Sequence, residues 1–436
     1  MKPLLHILSF EWKNLWRSNV LKILLLVVLG AGIYGIFFGK FEIDKQETRI
    51  SQVQQYERHQ FDSLLIWARL DTSILINKEK YQKAVSPTGV GWNKHFTYYL
   101  AHEAPPAAGL CLGQRDLFPV YYGFNVTDLA RQVNAGELAN PMKLLTGNFD
   151  LSYVFVFLFP LLVIALFYNL YAAEKEGGTL LLLQSQSISL RMILFSKGLL
   201  RLLIIWSLAT VLLLLGFVIQ GISVFEHGYL FFRWLLIIYG YCLLWTLLMG
   251  MIVRLRKSGA LSAMLGLGVW LVLTLITPAL LNLFVMANEP LPNRAEMIHT
   301  LRSLNDKNWG SPKSFVFDKF YPENPQYFKK GDTTDFNKWY YASFTLLDKE
   351  SDALNAQFEE QVGRRNALLE KWEWLAPAAM MHERLSQLSE TSRQSHLEFV
   401  KKVHTYHQEL KDLYYARIFE GEQFSYQDLQ KLEEQL

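Results

Sequence analysis

Apolar and polar positions along this chain fall into long blocks. Residues 4–17, LLHILSFEWKNLWR, place Leu4, Leu8, Trp12 and Leu15 at helical spacing, with Glu11, Lys13 and Arg17 at polar positions. This pattern predicts an amphipathic helix at a membrane surface, with Trp12 and Trp16 at headgroup level. Five uncharged runs follow: 17 residues (23–39), 23 (151–173), 24 (202–225), 20 (234–253) and 31 (258–288). At about 1.5 Å per residue, four of them reach across a hydrocarbon core of roughly 30 Å. The first is completed by snorkelling of Lys22 and Lys40. The last is long enough to require a tilt or a bend, and Pro278 is its natural kink.

Two large polar regions separate or follow these runs, at 40–150 and 289–436. In the first, Ile50, Val53, Glu57, Phe61, Leu64 and Ala68 form a helical stripe extending directly from span one. Helical signals weaken after Asp71, and the prolines and glycines between His102 and Asp150 predict a folded, loop-rich stretch with a little sheet. The second region opens with a Pro/Asn/Lys-rich section to about Asp335. Leu347, Leu354, Phe358, Val362 and Leu369 then mark one helix, and after the break at Leu375-Ala376-Pro377 the positions Leu385, Leu388, Phe399, Val403, Leu410 and Tyr414 mark one or two more. The expected fold class is an all-α polytopic membrane protein with five spans and two large, mainly helical extracytoplasmic regions.

Residues 174–201, between spans two and three, form a polar elbow opening on Glu174-Lys175-Glu176-Gly177-Gly178-Thr179. The glycines permit a tight turn, Thr179 is placed to cap a short helix, and Leu180 to Leu183 offer an apolar surface beside Arg191 and Lys197. Such an elbow is either an interfacial loop whose charges mark the headgroup boundary or a docking element between a soluble motor and the spans. Lysine and arginine counts set the expected orientation. The N-terminal segment carries Lys2, Lys13, Arg17 and Lys22, the elbow Lys175, Arg191, Lys197 and Arg201, and the turn after span four Arg254, Arg256 and Lys257; the opposite short loop has Arg233 alone. The N-terminus (residues 1–22), the elbow and the basic turn are therefore expected in the cytoplasm.

Composition agrees with a membrane protein: 51% hydrophobic and 14% aromatic residues in 436. A net charge of +3 gives no argument for nucleic acid. The two cysteines, Cys111 and Cys242, lie in regions not expected to meet, so no disulfide framework is expected. The Gly-x-x-x-x-Gly-Lys-Ser/Thr pattern does not occur, so P-loop ATP binding by this chain is not expected. His102-Glu103 and His382-Glu383 lack a second histidine for a zinc motif and read as surface pairs. His396, His404 and His407 share a spacing that suits metal ligands, but their interleaving with Lys401, Lys402 and Glu409 favours a solvated helix face. Ser258, Ser262 and Gly266 form a small-residue series suited to close helix packing, within the bundle or between molecules. No catalytic residue, metal or cofactor is expected.

The stretch Ala173-Glu174-Lys175-Glu176-Gly177-Gly178-Thr179-Leu180 resembles the glutamate-rich Gly-Thr-Leu turn of bacterial type-2 ATP-binding-cassette exporter permeases, and Phe10-Glu11-Trp12-Lys13-Asn14-Leu15-Trp16-Arg17-Ser18 resembles their connecting helix. A subgroup with two large extracytoplasmic insertions is similar also in Pro106-Ala107-Ala108-Gly109, Gly113 to Pro119, Asn140-Pro141, Gly147-Asn148-Phe149-Asp150 and Leu375-Ala376-Pro377-Ala378. The resemblance implies a permease subunit of the bacterial inner membrane, paired with a second permease, identical or homologous, and driven by a separate ATPase. Glu174, Glu176, Gly177, Gly178, Thr179 and Leu180 would then carry ATPase coupling, and Glu11, Trp12 and Arg17 the interfacial helix. The family has six spans and this sequence five, so it either stops short of the last span or lacks it. A membrane-anchored sensor or assembly scaffold, with protein-binding outer regions, is the alternative from a different class.

Overall fold

The computed structural model describes residues 2–91, 96–127, 129, 148–185, 189–290, 293–328 and 334–434. Asn140, Pro141, Gly147 and elbow residues 186–188 lie outside the described residues. The amphipathic helix α1 (Lys2–Arg17) ends at a corner where Ser18 adopts extended backbone and its hydroxyl accepts the Leu21 N–H at 3.4 Å. This N-cap starts α2 (Asn19–Trp67), a helix of 49 residues that carries span one and continues unbroken into the first polar region, as its stripe predicts. Next come α3 (Leu75–Val85), α4 (Pro87–Gly91) and an antiparallel ribbon of β1 (Tyr98–Ala101) and β2 (Tyr121–Phe124), with Tyr98 opposite Phe124. The membrane portion resumes with α5 (Leu151–Glu176), a short α6 (Leu180–Gln184), α7 (Leu190–Ile219), α8 (Gly228–Arg254) and α9 (Gly259–Asn288). The five helices α2, α5, α7, α8 and α9 are long and apolar enough to cross a membrane, and the protein is a multi-pass helical membrane protein.

The helix α5 occupies the centre of the bundle: 67% of its most apolar stretch is buried, against 11% for α9 at the periphery. It begins at Asp150, whose carboxylate accepts the Tyr153 N–H (2.9 Å), the Ser152 hydroxyl (2.6 Å) and the Leu112 N–H (2.8 Å) from the preceding polar region. One turn later the helix widens into a π turn over Val154–Leu158, just before Pro160. Proline has no N–H to offer the Val156 carbonyl four residues earlier. The Tyr241 hydroxyl of α8 donates to that carbonyl at 3.0 Å instead. The same device recurs in α9, where a π turn over Val272–Ile276 precedes Pro278, the residue expected to bend this span. The small-residue series on α9 serves packing within the bundle: Ser262 is buried, and a Cβ on Gly266 would meet Met249 Sδ at 2.8 Å and Ile164 Cγ2 at 3.1 Å.

The second polar region comprises α10 (Arg294–Gly310), α11 (Lys313–Phe320), α12 (Phe336–Trp372), α13 (Pro377–Leu388), α14 (Arg393–Glu420) and α15 (Tyr426–Glu434). The break at Leu375-Ala376-Pro377 falls where the sequence places it, and Pro377 starts α13. Two helices, α10 and α11, occupy the Pro/Asn/Lys-rich section before Asp335. The helix α10 is polar and held by capping, with the Asn293 side chain accepting the Glu296 N–H at 3.3 Å, so it carries little apolar periodicity to be recognised by.

Both polar regions feed one hydrophobic core. Phe61, Phe96, Tyr98 and Phe124 from the first pack with Phe317, Tyr341, Tyr414 and Phe419 from the second, and the Tyr98 and Tyr414 hydroxyls meet at 2.6 Å. They form a single head. Ala378, Met381 and Leu385 of α13 join the bundle core and seat the head on the spans.

The histidines of α14 differ from the solvated face expected of them. His396 stacks on Phe118 at 4.1 Å and His407 meets Phe124 edge-on at 5.7 Å, both buried; His404 alone is half-exposed, 3.6 Å from Asp352. Among the described residues no group of three acidic, histidine or cysteine side chains is arranged to hold a metal ion. His102, read as a surface pair with Glu103, stacks on Phe399 at 4.5 Å. Burial, reinforced by Arg115 and Lys402, pushes the His102 imidazole down to about 4, and burial with the neighbouring His102 imidazole and the cations Arg393 and Arg115 does the same to His396. Because both folded values lie below the usual 6.5, the stability they lend is complete above that pH and is lost as pH falls toward 4. Protection of the α14 amides against hydrogen exchange, relative to their intrinsic exchange rate at each pH, is therefore expected to fall across that window in the wild type and less so in His396→Phe; unchanged protection between pH 7 and about 4 would contradict this assignment.

Candidate functional site

The spans alternate in direction, so α1, the elbow and the turn between α8 and α9 share one end of the bundle, opposite the head. There the chain assembles a buried ionic cluster from three helices. Glu11 lies on the inner face of α1, which packs along α7, and is 2% exposed. Arg201 of α7 is 7% exposed, and its Nη2 donates to Glu11 Oε1 at 3.1 Å. The Lys197 ammonium, one turn earlier on α7, sits 3.3 Å from Glu11 Oε2, an ion pair without hydrogen-bond alignment, and 2.5 Å from Glu174 Oε1 on α5. Arg201 Nη1 also donates to the Leu166 carbonyl and, at 3.3 Å, to Asn169 Oδ1. Two carboxylates face two cations, which is the condition under which buried charge is tolerated.

The helix α7 begins at Leu190, ahead of the apolar run that follows Arg201, with the Ser189 hydroxyl accepting the Met192 N–H at 3.4 Å. Lys197 and Arg201 thus lie on the inner face of a span helix rather than in a loop, and Lys197 does not flank an apolar docking surface. Thr179 was expected to cap the next helix. It precedes α6, but its backbone is already helical (φ −83°, ψ −11°), an unfavourable N-cap conformation, and its hydroxyl donates to Glu174 Oε2 and, at 3.3 Å, to the Glu174 carbonyl. Thr179 is a tether to the cluster.

The remaining expected residues divide into neighbours of this cluster and outliers. Glu176 turns away from it and accepts the Gly259 N–H at 3.0 Å, joining the elbow to the start of α9. Gly177 ends the helix by donating its N–H to the Ala173 carbonyl at 2.9 Å, and Gly178 takes φ +72°, a left-handed conformation that suits glycine. Leu180 is half-buried against the bundle, whereas Leu181 and Leu182 are 76% and 67% exposed. Trp12 and Arg17 are exposed on α1, and Trp12 stacks on Trp16 at 5.6 Å.

The sequence named Lys197 and Arg201 only as basic residues of the elbow. Their spacing of four on an α-helix puts both on one face and is the signal that they act together. The cluster makes the elbow an extension of the spans: α6 is tied through Thr179 and Glu174 to α5 and α7, through Glu176 to α9, and through Lys197 and Glu11 to α1.

Fold and site together define a multi-pass membrane protein with a helical head on one side and a charge-locked elbow on the other. Residues 294–434, from α10 through α15, match the family model of a domain of unknown function, DUF3526. No curated protein and no solved structure matches the chain.

Proposed function

We propose that this protein is the membrane-spanning permease subunit of an ATP-binding-cassette transporter, an exporter of the bacterial inner membrane, working with a second permease and a separate ATPase. The observation that carries this is the elbow, which presents Leu181 and Leu182 outward on a short helix whose base is fixed to three spans, α5, α7 and α9, and to α1. A helix bound this way moves with the bundle when it is pushed, as force transfer from a soluble motor requires. The excess of Lys and Arg at the elbow end supports a cytoplasmic position for it, and the resemblance of the Glu174–Leu180 and Phe10–Ser18 stretches to exporter permeases supports the class.

Replacing Glu174 and Glu176 together by alanine removes both tethers of the elbow, one to Lys197 and Thr179 and one to Gly259. Loss of the Glu176 cap alone costs about 1 kcal/mol, too little to unfold a bundle of long spans. The double variant is expected to insert normally and to lose most of its transport-coupled ATP hydrolysis when reconstituted with its ATPase. Wild-type hydrolysis and transport at equal membrane abundance would return the elbow to a charged interfacial loop.

A further inference from the structure

Because the chain turns at Ser18, α1 and the start of α2 enclose an angle whose third side is α7. A cavity of about 230 Å³ fills this corner, lined by Trp12, Leu15 and Trp16 of α1, Leu21 and Leu25 of α2, and Leu208 of α7. The one polar side chain in its wall, Ser207, is satisfied by donating to the Ile204 carbonyl at 2.8 Å. Nothing in the lining asks for a polar ligand, and its volume suits several methylene groups.

The exposed positions of α1 and α2 beside these lining residues have the opposite character. Lys13 and Arg17 adjoin Trp12 and Trp16 in sequence, Lys22 adjoins Leu21, and all three cations are exposed. The only acid between residues 1 and 40, Glu11, is buried and paired with Arg201 and Lys197. An apolar slot on two helices whose exposed flanks carry three cations and no exposed acid, at the corner between a surface helix and a span, is complementary to one class of molecule. We propose that this corner binds one anionic phospholipid, an acyl chain in the slot and the headgroup phosphate among Lys13, Arg17 and Lys22. A chain seated there touches α1, α2 and α7 together and so holds α1 down on the helix that carries Arg201 and Lys197. The proposal rests on α1 lying at the membrane surface and is independent of what the protein transports.

The test uses the full chain in lipid nanodiscs and spin-labelled phosphatidylglycerol and phosphatidylcholine as probes. Three lysine and arginine side chains near a membrane surface favour the anionic probe by roughly tenfold or more, so the wild type is expected to immobilise phosphatidylglycerol in at least that preference, with one tight site by native mass spectrometry. The triple variant Lys13→Gln, Arg17→Gln, Lys22→Gln is expected to bring the two lipids near parity. Ser207→Phe, which fills the slot and leaves the cations in place, is expected to remove the tight site. Equal immobilisation of the two lipids by the wild type overturns the proposal without reference to any variant. So does a folded Ser207→Phe protein that keeps the tight phosphatidylglycerol adduct.

Discussion

Arg201→Ala is expected to destabilise the protein by about 3–5 kcal/mol, the range for breaking a buried ion pair by removing one partner. The guanidinium is the main compensation for Glu11, which is 2% exposed and otherwise has only the Lys197 ammonium 3.3 Å from its second oxygen. Removing it also takes away donors to the Leu166 carbonyl and to Asn169. Arg201→Met combined with Glu11→Leu removes both charges and keeps apolar volume, and such replacements of buried pairs run from neutral to stabilising. The double variant is therefore expected to be more stable than Arg201→Ala alone. Equilibrium unfolding in mixed micelles of the wild type, Arg201→Met, Glu11→Leu and the double variant, as a double-mutant cycle, measures the coupling. Purely additive effects would show that the pair contributes nothing as a pair.

Gly39→Ala is expected to cost about 3 kcal/mol, at the upper end of the usual penalty for overpacking. A Cβ at this position of α2 would overlap the Gly109 carbonyl oxygen, and since both groups are backbone neither can yield by changing a rotamer. One turn away, a Cβ on Gly35 would fall 2.8 Å from the Asp150 carbonyl oxygen, so the same face of α2 receives the loop that feeds α5. Gly30 is the control. It lies on the same helix with nothing within 4 Å of its would-be Cβ, and alanine there should stabilise by up to about 1 kcal/mol through helix propensity. If both substitutions shift the unfolding midpoint alike, α2 does not approach the Gly109 loop as closely as described.

Four of the spans were legible because an uncharged run of 20 or more residues has few other uses, the first because lysines bracket its 17 residues, and the extension of α2 because Phe61 and Leu64 keep helical spacing past the membrane. The Gly-Gly turn was equally readable, since Gly178 needs a left-handed conformation. Pairings across the chain were not: Glu11 and Arg201 are 190 residues apart, and no local spacing announces that one neutralises the other. Nor could spacing show that residues 61–129 and 316–432 share one core, because each stripe reports only that some partner exists. The histidines of α14 were misread for a correctable reason. His396 and His407 fall on the same helical stripe as Phe399, Val403 and Leu410, already marked as core, and the lysines between them lie on a different face.

The most direct test of the permease assignment is whether an ATPase travels with the protein. Tagged full-length protein, extracted gently from the membranes of its own cells, is expected to carry ATP hydrolysis and a subunit with a P-loop motif. Leu181→Asp combined with Leu182→Asp, which alters only exposed side chains of α6, is expected to lose that subunit while keeping its melting temperature. A wild-type protein that purifies without any ATPase, as a membrane-anchored scaffold or sensor would, or a double variant that retains as much ATPase as wild type, would contradict the assignment.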